Sequence, residues 1–395
     1  MKKIYLHVAA MLLSIAAAHG QNTMQDTSSY RSRKLKLEEV NFVSAYYSQD
    51  GNHSAVTGGI GTEKLTDFAN TFDLQLSRYS RNGRKNNYTF ELGIDHYSSA
   101  SSDKIDPATL SSASSADTRI YPSLDWTRTN EKTGNSFGFT ASYSGEYDYQ
   151  SIGGAFHLSR LSKDKNTQFD WRVQAFLDTW TVILPVELRA GNREHEGSSP
   201  RNSFSSSISL SQVISQRLQG ELVLEPAYQH GLLATRYQRN YFTDGSVQAE
   251  TLPSDRYKLP VALRLNYFLA DRFILRTFYR YYMDSWGIRA HTAELETPVK
   301  LSPFFSVSPF YRYSQQSGAR YFAPYGQHQN GERYFTSDYD LSGLNSSFFG
   351  AGIRIVPPKG VLGWQRLNAL ELRYGHYLRS NGLASNIVSL NLKFK

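Results

Sequence analysis

Asp95-His96-Tyr97, followed by Ser98, Ser99 and Ser101, is the densest meeting of acid, base and hydroxyl in this chain. Such a set could run nucleophilic hydrolysis if the base reached both the hydroxyl and the acid. The surrounding run alternates apolar and polar residues as a strand does, and successive strand residues face opposite sides. Asp95 and His96 therefore cannot easily act together, and a hydrogen-bonded rim histidine is the expected reading. His157, His230 and His376 fall in similar runs and His53, His195 and His328 in connections, none at metal-ligand spacing. The Ser- and Asp-rich segment 101–117 offers oxygen ligands of the kind Ca²⁺ takes, but without the fixed spacing of a calcium loop. Gly58-Gly59-Ile60-Gly61 predicts a folded loop, because no helix follows to make a phosphate cradle. No cofactor, no metal and no enzymatic activity are expected.

The larger pattern is one of charge. On one parity of the alternating stretches lie Asp73, Glu91, Asp95, Asp125, Glu146, Asp170, Asp178, Glu221 and Glu225. Later in the chain the same parity carries Arg264, Arg276, Arg280, Arg312, Arg354 and Arg373. Arg119 and Arg172 are exceptions among the acids, and Asp284 and Glu371 among the arginines. Between Arg289-His291 and Glu294-Glu296 the polar parity switches, which leaves the facing of that stretch open. Charges so placed could set a transverse field across a water-filled lumen, with the arginines and Asp73, Glu91, Asp95 and Asp125 as selectivity elements. They could equally pair across a filled interior, or merely reflect that any lumen is polar.

These residues must be positioned by strands. The alternation predicts strands near 37–48, 68–79, 87–98, 118–128, 136–147, 150–161, 168–181 and 202–214. Eight more follow near 218–232, 257–269, 272–284, 287–300, 304–316, 343–356, 365–379 and 385–394. Each has one apolar and one polar face, as in Val388, Leu390, Leu392 and Phe394 against Ser389, Asn391 and Lys393. The expected fold is all-β: a single transmembrane antiparallel β-barrel of about 16 strands, with 14 or 18 as alternatives. The connections agree, since every second one is short and the long ones, 49–67, 99–117, 182–201, 233–256 and 317–342, fall on one side. With a periplasmic N-terminus that side is the outer one. At this strand number a barrel leaves an aqueous channel unless its loops fold in.

Composition supports that architecture. Lys2 and Lys3 precede an apolar run from Val8 to Ala18 and the small-x-small site Ala18-His19-Gly20, the pattern of a secretory signal peptide. Residues 1–20 are expected to be that signal, 21–35 a flexible periplasmic lead-in and 36–395 the barrel. Without Lys2 and Lys3, 41 basic face 35 acidic residues, and no basic cluster points to nucleic acid. The chain has no Cys, so closure of the sheet rather than disulfides must restrain it. A mean hydropathy of −0.49 argues against helical spans. With 27 Tyr and 22 Phe there is ample material for aromatic girdles at both interfaces.

Several segments resemble a family together. They are Leu37-Glu38-Glu39-Val40-Asn41-Phe42 with the stretch from Ala55 to Leu65, and Phe90 to Tyr97 running into the Ser/Asp loop. Ser111 through Trp126, Tyr311-Arg312-Tyr313-Ser314-Gln315-Gln316-Ser317 and Thr336-Ser337-Asp338-Tyr339 complete the set. They resemble the outer-membrane family called domain of unknown function 3570, most specifically in the N-terminal third. The resemblance implies a Gram-negative outer-membrane barrel with no assigned activity. Members of that family being encoded beside a flavin transferase and a small lipoprotein, it also implies a conceivable link to flavin or electron-transfer assemblies, for which the chain shows no flavin or haem motif. Two readings follow for function. One is a pore or solute-binding channel whose loops 49–67 and 99–117 gate the mouth for an unknown small solute. The other is a scaffold barrel anchoring a periplasmic or surface protein partner, with a barrel hydrolase a distant third. Outer-membrane lipid is the one partner common to all.

Overall fold

The computed structural model describes residues 33–98, 116–189, 191 and 195–395. The expected signal and nearly all of the lead-in lie outside these residues, as does most of the 99–117 connection. The first half of the wall is β1 (Lys36–Asp50), β2 (Leu65–Tyr79), β3 (Lys85–Tyr97), β4 (Asp117–Asn130), β5 (Asn135–Gly145), β6 (Tyr149–Leu161), β7 (Thr167–Ile183) and β8 (His195–Ser215). It continues as β9 (Leu218–Leu224, then Ala227–Gly231), β10 (Asp255–Ala270), β11 (Phe273–Asp284) and β12 (Arg289–Glu296, then Val299–Ser302). The last strands are β13 (Phe305–Gln316), β14 (Leu344–Ile355), β15 (Leu367–Arg379) and β16 (Ala384–Phe394). Each pairs antiparallel with its chain neighbours, and β1 pairs with β16 from Val40↔Phe394 to Asp50↔Ala384. The result is a closed sixteen-strand antiparallel barrel. Closure leaves no unpaired sheet edge, the condition for a sheet to cross hydrocarbon.

All sixteen expected strands are present, with two interruptions. Pro226 splits β9 and Pro298 splits β12, each beside a second proline on the paired strand (Pro260 and Pro309), so two N–H groups are missing from the ladder at each gap. Register is kept across both gaps: Leu224 pairs with Val261 and Ala227 with Lys258, three residues apart on each strand. Each proline still accepts, Pro226 from the N–H of Ser206 and Pro298 from that of Ile274.

The wall is one residue thick, so parity decides what each side chain meets. Ile120, Leu124, Ile152, Leu177, Leu263, Tyr279 and Tyr374 project outward and are exposed, as lipid-facing side chains are. Most charged residues and small hydroxyl residues occupy the other parity. An apolar belt outside, a polar lining inside and a closed sheet place this protein in the outer membrane of a Gram-negative bacterium. At one end the connections are short, six of them spanning 80–84, 131–134, 162–166, 216–217, 271–272 and 303–304, with 356–366 somewhat longer. At the other end lie the long loops, among them 51–64, 232–254 and 317–343.

Candidate functional site

Loop 51–64 joins β1 to β2, and loop 232–254 joins β9 to β10. In a ring of sixteen these start from diametrically opposite points, yet they touch. Arg239 Nη1 donates to Val56 O at 3.2 Å. A Cβ on Gly58, at φ +79°, would stand 2.7 Å from the Tyr241 ring, so glycine alone permits this approach. From the β7–β8 connection Glu187 takes Arg239 in a fork, Nε to Oε1 at 2.5 Å and Nη2 to Oε2 at 3.1 Å. Arg239 is 7% exposed. The planar, permanently charged guanidinium thus ties three loops at one buried point.

Loop 317–343, between β13 and β14, closes the third side. His53 stacks on Tyr339 with ring centroids 3.8 Å apart and planes within 13°, and its Nδ1 lies 2.9 Å from Gly59 O. Phe335 and Thr251 exchange backbone hydrogen bonds, and Thr336 Oγ1 donates to Glu250. Phe242 meets Phe335 edge-on at 5.0 Å. His328, fully covered, pairs Nδ1 with Glu332 at 2.8 Å and sets Nε2 3.2 Å from Thr336 O. A short hairpin, Arg239–Tyr241 with Val247–Ala249, stiffens the middle of loop 232–254. Val56, Ile183, Leu233, Phe242, Trp286 and Phe335 are all buried. The long loops pack on one another as a small domain core does, and that core bridges the mouth.

Acids at this bridge titrate abnormally. Burial, helped by the Asp338 carboxylate, pushes Glu250 up to about 8, although Thr336 and the N–H of Thr235 donate to it. Glu63 is pushed up to about 7 by burial and by the Asp340 and Asp338 charges, against the pull of Arg379. Asp338 rises to about 6 through burial and Asp340.

Beneath the bridge the lumen holds a chamber of about 540 Å³, whose lining includes Tyr47, Phe278, Arg280, Arg312, Tyr377 and, from the loop above, Asp340. Asp340 is latched to the wall by Arg379, and its carbonyl and that of Ser342 accept from Gln316 Nε2 at 2.9 and 2.8 Å. Arg312 Nε binds Glu294 Oε2 at 2.5 Å across adjacent strands. Arg280 is exposed and has no ion pair among the described residues. The chamber is lined by polar and aromatic side chains, and among the described residues Arg280 is its one charged group without an ion pair.

Family model matching covers residues 7–361. The chain belongs to the family described as "Protein of unknown function (DUF3570)". No curated protein matches it. Among solved structures it is similar to OccAB1 of Acinetobacter baumannii, at 6% identity and TM-score 0.42 over 94% of this chain and 99% of that one. It is similar also to OpdK of Pseudomonas aeruginosa with vanillate, at 11% identity and TM-score 0.38 over 92% and 99%. A mutant ferric enterobactin receptor (PfeA) of the same organism matches at 12% identity and TM-score 0.47, over 86% of this chain and 53% of the receptor.

In this DUF3570 protein four of the six arginines expected to form a basic wall, Arg264, Arg276, Arg312 and Arg373, have a carboxylate partner close by. Arg264 pairs with Glu221 directly opposite it (2.8 Å) and Arg276 with Glu296 (3.2 Å). Arg373 reaches Glu296 at 2.9 Å and Glu371 at 3.2 Å. The reason is β12, which keeps a single phase: Ala290 and Thr292 line the chamber, and Glu294 and Glu296 face inward with them. Arg289 and His291 face outward, where the sequence pattern suggested a switch. Arg354 is exposed near the short-turn end with no ion pair among the described residues. On the acidic wall, Asp73 and Glu91 sit directly opposite one another. Asp95 accepts from Tyr121 at 2.9 Å, whose ring lies across Gly93, where a Cβ would come within 1.9 Å. Asp125 accepts from Thr127 and Thr140, both at 2.8 Å. His96 Nδ1 lies 2.9 Å from Thr118 Oγ1, on the face opposite Asp95, so the acid and base do not meet.

Of the expected selectivity residues, only Arg280 and Arg312 line the chamber. Arg379 was within reach of sequence reasoning, as it continues the inward parity of Arg373 and Tyr377. Arg239, Glu187, Glu250 and Asp340 sit in loops with no period to read. A fainter signal did exist: the family-like segments 55–65 and 336–339 are the ones that meet at the mouth.

Proposed function

We propose that this protein is a gated outer-membrane channel for small anionic solutes and not an enzyme. The observation that carries the reading is the contact between loops from opposite sides of the ring, above a polar chamber where Arg280 has no ion pair among the described residues. Closed, the bridge holds solutes at the chamber. When the Arg239 tie and the Arg379–Asp340 latch part, the lumen opens and Arg280, with Arg312 behind it, favours anions over cations. Phe278, Phe348 and Tyr377 add apolar flanks for a solute with a ring or short carbon chain. Arg264, Arg276, Arg354, Arg373, Asp73, Glu91, Asp95 and Asp125 tune the lumen field more weakly, since most are paired or hydrogen-bonded.

The test is reversal potential in asymmetric KCl with the bridge opened by Arg239→Glu. An anion bias is expected, moving toward cations on adding Arg280→Glu. A second reading, a closed scaffold anchoring a surface or periplasmic protein, draws on the same buried loops. A folded, heat-modifiable Arg239→Glu barrel that passes no current would favour it.

A further inference from the structure

The lipid side of the wall is not a uniform belt. Near the rim that bears the long loops, between β7 and β12, it is indented by a groove of about 1070 Å³ with a mostly apolar lining. Its floor lies where β9 is interrupted and the side chains are small, at Pro226 and Ala227. Its banks are aromatic. Tyr228 stacks on Tyr257 at 4.7 Å and on Phe204 at 6.5 Å, both within 25° of parallel. Tyr257 is 61% exposed and Met283 40%.

Two arginines close the rim end of this groove, Arg289 and Arg320. Arg289 pairs in register with Met283, on the lipid-facing parity, and has no ion pair among the described residues. Arg320 is exposed and donates to Ser285 O. The acids nearby do not answer this charge. Asp284 is turned inward, its side chain wholly covered, and binds Arg256 at 2.5 Å. Asp255 accepts from Tyr228 (2.5 Å), His230 (2.9 Å) and Ser254 (2.9 Å) on the opposite bank. A cation on the lipid face of a barrel is tolerated near the interface, where headgroup phosphates can meet it.

We propose that this groove seats a phosphorylated, multiply acylated glycolipid of the outer leaflet. One acyl chain lies along the Phe204–Tyr228–Tyr257 bank, and a phosphate sits between Arg289 and Arg320. The long loops of an outer-membrane barrel face outward, which puts this rim at that leaflet. Arginine suits the role because its planar fork matches phosphate oxygens two at a time.

The test is native mass spectrometry of the mature protein released from detergent, titrated with purified hexa-acyl lipid A and with the same lipid dephosphorylated. The expected result is at least tenfold tighter retention of the phosphorylated form. That preference should vanish in Arg289→Glu/Arg320→Glu while heat-modifiability of the barrel stays intact. A second variant, Leu259→Trp, fills the groove without touching charge and should weaken both lipids together. Equal retention of the two lipids by the unmodified protein, an unchanged preference in the double-arginine variant, or a second copy of this chain occupying the groove would each overturn the proposal.

Discussion

The wall and the mouth of this barrel solve opposite problems. Along the wall, apolar side chains are exposed to lipid and charges are exposed to water. Pairs such as Arg264 with Glu221 have one partner 53% exposed. At the mouth the loops bury both kinds together: Phe242 and Phe335 beside Glu250, His328 and Arg239, each under a tenth exposed. The wall is held by the closed hydrogen-bonded ladder and tolerates change at single side chains. The mouth is held by side-chain packing and a few buried polar contacts, where loss of one partner leaves the other stranded. The part of the molecule that could move is therefore also the part most sensitive to mutation and to pH.

That contrast breaks most visibly at Arg239. Replacing it with Glu sets a second carboxylate beside Glu187 and removes the tie to Val56, a loss on the order of 4 kcal/mol for the loop unit. Hydrogen exchange in 51–64 and 232–254 should rise sharply while the strands stay protected. Phe335→Ala removes a buried ring and should cost the loops about 3 kcal/mol. The matching change on the wall, Leu124→Ala in lipid, should leave exchange in its strand unchanged. If both variants loosened the molecule alike, the division between wall and mouth would be wrong.

A change of pH acts on the mouth through its buried acids. Glu250, Glu63 and Asp338 are raised in the folded state to about 8, 7 and 6. Raised acids hold protons that the opened loops would release, so they stabilise the closed bridge fully below about pH 4. That stability is lost progressively as pH rises toward 8. Loop protection, taken relative to the intrinsic exchange rate at each pH, should be greater at pH 5 than at pH 8, and Glu250→Gln should flatten most of the difference. Protection that falls on acidification would reverse the sign and refute the assignment. The smallest effect is expected for Arg264→Ala, an exposed wall pair worth roughly 0.2–1 kcal/mol, with no change in loop exchange.

The same contrast explains what was legible in the sequence. Wall residues obey a period of two, so all sixteen strands and the inward parity of Arg280, Arg312 and Arg373 could be read from it. Where a charge sits on the lipid face at the rim, as Arg289 does, the period misleads and does not place the inward Glu294 and Glu296. Without them the arginines read as a free basic wall, although Arg264, Arg276, Arg312 and Arg373 each meet a carboxylate. The mouth follows no period. The contact between Val56 and Arg239 joins residues 183 apart, and only the closed ring brings opposite loops together. Gly58-Gly59 marked a folded loop, but not the Tyr241 and Tyr339 rings that need the glycines there.

The absence of native Cys offers a direct test of the bridge. His53→Cys/Tyr339→Cys replaces the stacked rings by two thiols on loops from different sides of the mouth. Single-channel current would be recorded from the oxidised protein and again after adding reductant. The account predicts a disulfide in the folded barrel, no steady current while it is intact, and openings once it is reduced. A steady current of the same size through the disulfide-locked protein would show that these loops do not close the channel.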